Sequence, residues 1–391
     1  MWKKTFISTF VAQVLSMIGF SFALPFLPFF ISELGTFSRG QQAFWAGVVL
    51  GSSGITFTLF APFWGVIADR YGRKVMVCRS MFAGAVILFL MSIVHTVGQL
   101  VVCRLLQGAL TGTISASIAL VASVTPEERS GFALGMMQAA AYIGTTAGPL
   151  FGGLFADIYG YRVAFQLGAV LVLSGGLIVL LGVRESFVPP DASERNQSPG
   201  FRSILTTEGF LLAVMILSGV QFSNSMISPS FPLIVKDIIP SPEKLNSITG
   251  TILAASALAG AFSAALLGHT GDRIGQKKVL IICAIGTSLS SAGHFFAFNI
   301  PLLFLFRILF GLSVAGMIPA ANGIIYSIIN REYIGRAYGM AASISMLGFA
   351  LGTFSGGVVA KLTGLRIPFL VVALLHIILA AMIRSFVRTK N

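Results

Sequence analysis

Residues 65–74 read Gly-Val-Ile-Ala-Asp-Arg-Tyr-Gly-Arg-Lys, and the stretch recurs in weaker form 203 residues later, at 268–278, as Gly-His-Thr-Gly-Asp-Arg-Ile-Gly-Gln-Lys-Lys. Each copy follows a long apolar run and combines small residues with an acidic residue and several basic ones. Chance could produce one such pair. Further pairs in the same order would indicate that the chain consists of one unit written twice.

Such pairs are found along the whole chain at an offset of 203–204 residues. The clearest are Pro25 and Pro229, Pro28 and Pro232, Arg104 and Arg307, Gly148 and Gly352, and Arg162 and Arg366. The sequence therefore predicts two related halves, residues 1–184 and 209–391, joined by a polar linker at 185–208. Because each half is expected to cross the membrane an even number of times, the two halves form a parallel repeat.

The composition is that of a membrane protein. Hydrophobic residues make up 55% of the 391 residues, charged residues only 10%, and the mean hydropathy is +0.90. The apolar runs have the length that a helix needs to cross about 30 Å of hydrocarbon, and in lipid they must be helical because no water is present to satisfy the backbone. We predict an all-α fold with twelve spans, at residues 6–31, 44–67, 76–94, 99–123, 131–156, 164–183, 209–236, 246–268, 279–298, 302–327, 336–360 and 368–386.

The net charge of +13 is a signal of topology. With the N-terminus inside, 18 of the 26 lysines and arginines fall in cytoplasmic segments and six in outer loops. Cytoplasmic loops carry such an excess of positive charge, so we expect both termini in the cytoplasm. This distribution argues against a nucleic-acid partner.

The loop at 65–74 and its copy resemble the signature of the major facilitator superfamily, and the resemblance covers the whole chain. It implies a fold of two pseudo-symmetric six-helix bundles that work by alternating access. It also implies that the loop is a gate latch between the bundles, weaker in the second copy because Gln276 replaces Arg73. The gating residues implied are Gly65, Asp69, Arg70, Gly72, Arg73, Lys74, Asp272 and Arg273.

Two further motifs resemble the twelve-span drug:proton antiporter branch of that family. Span 4 carries Arg104-Leu-Leu-Gln107-Gly108, which is similar to a motif of proton-coupled members. An arginine inside a span is costly and is a functional-site hypothesis by default; the alternative is a structural arginine bonded to helix carbonyls and a glutamine. Span 5 carries an antiporter-like motif formed by Gly144, Gly148, Pro149 and Gly152. The resemblance implies proton-coupled efflux of amphipathic small molecules.

The acidic residues leave the coupling group open. All 13 of them fall at span ends or in loops, so no carboxylate lies at the middle of a predicted span. The nearest candidates are the outer-end acids Glu33, Asp157 and Asp237. Two intramembrane arginines without a midplane acid also favour a second hypothesis, a dedicated exporter or facilitator of one metabolite or anionic product such as a siderophore.

The remaining expectations concern the substrate site and partners. We expect a small-molecule substrate, protons as coupling ion, a monomer in a bacterial cytoplasmic membrane, and no enzyme activity, cofactor, metal or nucleic acid, since no metal-ligand spacing, nucleophile elbow or phosphate loop occurs. Polar and aromatic residues at middle depth are candidates for an adaptable cavity: Phe22, Phe26, Gln138, Tyr142, Gln221, Asn224, Ser225, Phe310 and Asn322.

Overall fold

The computed structural model describes residues 2–185, 205–207, 209–239, 242–329 and 334–386, so most of the predicted linker lies outside the described residues. The described secondary structure is helical throughout. The helices are α1 (Trp2–Ala23), α2 (Leu27–Glu33), α3 (Arg39–Tyr71), α4 (Arg73–Ser92), α5 (Val97–Leu110), α6 (Thr113–Val124), α7 (Glu127–Gly182), α8 (Phe210–Met226), α9 (Phe231–Ile238), α10 (Leu245–Ile274), α11 (Gln276–Phe295), α12 (Ile300–Ile328), α13 (Ile334–Thr363) and α14 (Ile367–Phe386).

Several spans are made of more than one helix. Span 1 consists of α1, a 3₁₀ turn at Leu24–Phe26 and α2, and span 7 consists of α8 and α9. The interruptions fall at the paired prolines of the two halves, because proline removes a backbone donor and its ring collides with the preceding turn. The prolines that the sequence pairs therefore break equivalent helices.

The described residues contain twelve spans. Eleven stretches of the described chain are long and apolar enough to cross a membrane, and one of them, within α7, is 55 residues long. That helix is interrupted at Gly160, whose φ of 80° and ψ of 170° are not helical, so it contributes spans 5 and 6. The predicted number of spans is confirmed.

The break in α7 has a counterpart in the second half. Gly160 and Gly364 both have positive φ, 80° and 106°, a conformation that glycine adopts without the penalty of a Cβ. Two residues later, Arg162 donates hydrogen bonds to the carbonyls of Ser92 and Val94 at 2.8 and 2.9 Å. Arg366 likewise bonds to the carbonyls that end α11, including that of Ala297 at 2.7 Å. The repeat is thus a repeat of structure as well as of sequence.

The chain divides into two compact units. Unit 1 comprises residues 1–35, 55–197 and 243–254, and unit 2 comprises 36–54, 198–242 and 255–391. The units follow the predicted halves, except that the first part of α3 belongs to unit 2 and the first part of α10 to unit 1.

Phenylalanines form much of the interior of each unit. Phe26, Phe29, Phe30 and Phe165 are fully buried in unit 1, and Phe210, Phe231, Phe310 and Phe369 in unit 2. Large apolar side chains such as Leu59, Leu181 and Leu289 are exposed. Such exposure suits spans that face lipid.

Candidate functional site

The antiporter-like motif of span 5 forms a close contact with α1. We call Gly144, Gly148 and Gly152 the glycine seam. A Cβ added at these three positions would collide with Met17, Ser21 and Phe22, respectively. The Ser21 hydroxyl also donates a hydrogen bond to the Gly144 carbonyl at 3.0 Å. Small residues at this spacing allow two helix backbones to touch, so the motif sets the distance between spans 1 and 5.

The same stretch of α7 contacts the start of α10 with its other face. A Cβ at Gly153 would collide with the Asn246 carbonyl, and one at Gly250 would collide with the Pro149 carbonyl. These contacts explain why residues 243–254 belong to unit 1. The carbonyl of Pro149 therefore lies at the point where α7 and α10 cross.

Span 11 repeats this arrangement in unit 2. Added Cβ atoms at Gly348, Gly352 and Gly356 would collide with α8, at Ser218, Phe222 and Met226. A Cβ at Gly47 of α3 would collide with the carbonyl of Thr353, the residue that replaces Pro149 in this half. Both halves thus use the same packing device.

A carboxylate lies where the span 5 contact ends. We call Asp157, Asn246 and Ser247 the first junction. The Oδ1 atom of Asp157 accepts hydrogen bonds from the main-chain N–H and the side-chain amide of Asn246, at 3.0 and 2.8 Å. Its Oδ2 atom accepts from the main-chain N–H of Ser247 at 2.7 Å and from the Ser247 hydroxyl. Asp157 therefore caps the N-terminus of α10, where the helix dipole favours negative charge.

The equivalent contact in unit 2 has a different chemistry, and we call it the second junction. Lys361 stands 204 residues after Asp157, and its Nζ atom lies 4.7 Å from the centre of the Phe44 ring at the start of α3. Arg39, the first residue of α3, forms a salt bridge of 3.3 Å with Asp237 at the end of α9. Sequence reasoning named Asp157 only as one of three outer-end acids that are candidates for the coupling group, and its spacing from the glycine seam was the signal that could have placed it at this contact.

Arg104 is buried in the first half. Thr96 begins α5 with a capping box formed with Gln99, which fixes the start of the helix two turns before Arg104. The Arg104 side chain is only 5% exposed, and its guanidinium donates to the Oε1 atom of the equally buried Gln107. The structure thus shows the arginine–glutamine pair that the sequence offered as the structural alternative, and the pair leaves a functional role open.

The predicted gating loop turns at Gly72, the N-cap of α4. The Glu185 carboxylate accepts hydrogen bonds from the main-chain N–H groups of Arg73 and Lys74, at 2.9 and 2.7 Å. The Lys74 ammonium donates to the Val183 carbonyl at 2.7 Å, and the Arg73 guanidinium to the Ala119 carbonyl at 3.2 Å. The loop is therefore tied to the end of span 6 by an acid that the sequence had assigned only to the linker.

The other predicted gating residues lie near the ends of α3 and α10. An added Cβ at Gly65 would meet nothing within 4 Å. The close contacts of α3 lie at its other end, at Gly47 and Gly51, where small residues oppose small residues. Arg70 and Arg273 are exposed. The side chains of Asp69 and Asp272 lie outside the described part of the structure.

The cavity candidates separate into two groups. Phe22, Phe26, Ser225 and Phe310 are all less than 5% exposed, so in this structure they pack between helices and do not line an accessible surface. The glycine contacts account for part of this burial, because Gly152 packs on Phe22 and Gly352 on Ser225.

The accessible candidates are polar. In unit 1, Gln138 is exposed and Tyr142 is half-buried. In unit 2, Asn224 is exposed and Gln221 and Asn322 are half-buried. Across the described residues, no three His, Cys, Asp or Glu side chains are grouped so that they could hold a metal ion.

Comparison with known proteins agrees with this architecture. The sequence profile of the Major Facilitator Superfamily matches residues 9–238 and again 214–391. The protein belongs to this superfamily, whose fold is that of a transporter rather than of an enzyme. It is therefore a multi-pass membrane protein that handles small molecules.

Relatives and solved structures place it within that family. The chain is 31% identical over 373 residues to the multidrug resistance protein MdtG of Klebsiella pneumoniae, covering 95% of this chain and 90% of that protein. It is 30% identical to MdtG of Salmonella paratyphi B, covering 95% and 92%. A bacterial homologue of the human lysosomal transporter Spinster has the same fold, with a TM-score of 0.80, 14% identity and coverage of 97% and 95%. A D-xylose–proton symporter gives a TM-score of 0.79 at 16% identity, with coverage of 98% of both chains.

Proposed function

We propose that this protein is a secondary transporter of the multidrug-efflux type, which exports amphipathic small molecules in exchange for protons by alternating access. The observation that carries the proposal is its 31% identity to a multidrug resistance protein over 95% of the chain. The glycine seam of span 5 supports it, since the motif resembles that of drug:proton antiporters. The protein is expected in the bacterial inner membrane, with both termini in the cytoplasm and as a monomer.

With that orientation, both junctions lie towards the outer surface. Alternating access requires such contacts to form in one state and break in the other. The first junction is built from hydrogen bonds to a single carboxylate, so neutralising Asp157 removes most of their strength. Tyr161, Glu33 and Arg162 are the other titratable or charged groups there; the Tyr161 hydroxyl donates to the Asn246 side chain at 3.2 Å.

Asp157 is therefore our candidate for the proton-linked group. The predicted spans carry no midplane acid, and among the outer-end acids Asp157 makes the most hydrogen bonds in the described structure. Coupling to protons is thus assigned to the first junction, and substrate binding to the exposed polar side chains of each unit.

The decisive experiment uses purified protein in liposomes with an imposed pH gradient and a panel of chemically unrelated lipophilic dyes and drugs. We expect several compounds to discharge the gradient in wild-type vesicles, and Asp157→Asn to transport without proton movement or not at all. Protein-free liposomes are the control. Transport of the panel that is indifferent to the gradient, or coupled transport that persists in Asp157→Asn, would contradict the coupling assignment.

A second candidate is export of one anionic product, which the buried arginines favour. Arg104 and Arg307 are both less than 10% exposed, and both carry positive charge inside predicted spans. Under this hypothesis a single organic anion is transported and the cationic and neutral members of the panel are not. The same liposome assay therefore separates the two functions by the number and charge of the compounds that respond.

A further inference from the structure

Arg307 is a buried arginine, and two of its three side-chain nitrogen atoms lack acceptors among the described residues. It lies in the outer part of α12, its side chain is 8% exposed, and no described protein atom accepts a hydrogen bond from its Nε or Nη1. Its guanidinium instead lies over two phenylalanine rings, 4.5 Å from the centre of Phe231 and 5.3 Å from that of Phe310. All these residues belong to unit 2.

The equivalent arginine of the first half has a hydrogen-bond acceptor that Arg307 lacks. In the first half Arg104 donates to the side chain of Gln107, three residues further along the helix. The residue equivalent to Gln107, at the same offset of 203, is Phe310. The second half has therefore kept the charge and replaced its acceptor by an aromatic ring.

A histidine shares the same surroundings. His294 is fully buried, its Nδ1 donates to the Ser290 carbonyl at 2.7 Å, and its Nε2 has no described partner. Its ring stacks on Phe369 at 5.0 Å and meets Phe310 edge-on at 6.1 Å and Phe231 at 6.3 Å. Arg307 and His294 thus both have nitrogen atoms without a described partner, and both lie against the same two phenylalanine rings.

Burial of an uncompensated guanidinium is unfavourable, because the charge loses its hydration and gains no partner. Contact with the faces of aromatic rings offsets only part of that free-energy cost. Asp237 lies on α9, the helix that carries Phe231, but its carboxylate is half exposed and already paired with Arg39. A bound counter-ion would supply the missing acceptor.

We propose that Arg307 binds a small monovalent anion, a halide such as chloride, through Nε and Nη1 inside this aromatic enclosure. The enclosure favours a small ion over an organic anion because Phe231, Phe310 and Phe369 are each 1% exposed or less. A water molecule that accepts from Arg307 and donates to His294 is the other occupant of suitable size. The proposal is independent of what the protein exports.

The test is thermal unfolding of the purified full-length protein in lipid nanodiscs, with chloride replaced stepwise by gluconate at constant ionic strength. A ligand that binds only the folded state raises the unfolding midpoint in a saturable way, so we expect a rise of several degrees with chloride, reproduced by bromide. Arg307→Gln should lose this response. Arg39→Gln, which removes a half-exposed arginine, is the matched control and should keep it.

Phe310→Gln keeps the test informative if Arg307→Gln fails to fold. It places an amide oxygen where the first half has Gln107, so Arg307 gains an internal acceptor and the halide response should fall at least several-fold. Equal midpoints in chloride and gluconate for the wild type would show that water alone occupies the site and would overturn the proposal. A halide response that persists in both variants would do the same, because the ion would then bind elsewhere.

Discussion

Asp157 and Ser247 are joined by two hydrogen bonds to one carboxylate oxygen, from the main-chain N–H at 2.7 Å and from the hydroxyl. The contact ties the end of span 5 to the first turn of α10. Since backbone donors at a helix N-terminus have no partner within the helix, the carboxylate satisfies groups that would otherwise need water.

Asp157→Asn should destabilise the protein. The amide keeps one acceptor but turns its NH₂ towards donors, so at least one charge-assisted hydrogen bond is lost, at a cost of about 2 kcal/mol. We expect the midpoint of thermal unfolding in detergent to fall by several degrees. Asp237→Asn is the control, because the salt bridge of Asp237 is half exposed and contributes only about 0–1 kcal/mol. An equal fall of the unfolding midpoint in the two variants would show that the first junction stabilises the protein no more than an exposed salt bridge does.

Gly152→Ala should disrupt the glycine seam. The new Cβ would meet the Phe22 carbonyl, a backbone atom that cannot turn away, and overpacking of this kind costs about 1–3 kcal/mol. The unfolding midpoint and the yield of monodisperse protein in size-exclusion chromatography should both fall.

Gly135→Ala in the same helix is its matched control. A Cβ at Gly135 meets nothing within 4 Å, and replacing a helical glycine by alanine gains about 0.5–1 kcal/mol. The two substitutions are chemically identical and differ only in their surroundings. We therefore expect the unfolding midpoint to fall for Gly152→Ala and to rise for Gly135→Ala. A stable Gly152→Ala variant would mean that α1 and α7 can separate without cost.

The repeat made much of the fold predictable. Pro25 and Pro229, and Gly160 and Gly364, occupy equivalent breaks because proline and positive-φ glycine act locally, within one or two residues. The approximate lengths of the spans follow from the thickness of the membrane. The twelve spans could therefore be located from the sequence alone.

The partners of buried side chains could not be located in this way. That Phe231 lies against Arg307, or that Glu185 returns to the turn at Gly72, depends on which surfaces of distant segments meet. Apolar spans carry hydrophobic residues on all sides, so their sequence does not show which face is turned inward. Residues 36–54 are grouped with unit 2 through contacts of this kind, since Gly47 and Gly51 pack on Thr353 and Ala350 of α13.

Glu185→Gln should loosen the turn between spans 2 and 3. The carboxylate caps the first two N–H groups of α4, and loss of such a cap costs about 0.5–2 kcal/mol. We expect faster hydrogen–deuterium exchange at residues 72–76 and a lower unfolding midpoint. Glu128→Gln, which changes an exposed acid on α7, should alter neither; unchanged exchange in Glu185→Gln would remove that acid from the predicted gating loop.

Arg104→Gln separates a structural role for this arginine from a functional one. The new amide can still hydrogen-bond to Gln107, and it removes the cost of a buried charge, so we expect the unfolding midpoint to stay within a few degrees of the wild type. Transport of dyes in liposomes should nevertheless fall to the background of empty vesicles if the positive charge serves coupling or substrate binding. Arg104→Lys keeps the charge but loses the planar guanidinium, and should retain partial transport. Full transport in folded Arg104→Gln would show that the pair serves only to hold α5 in place.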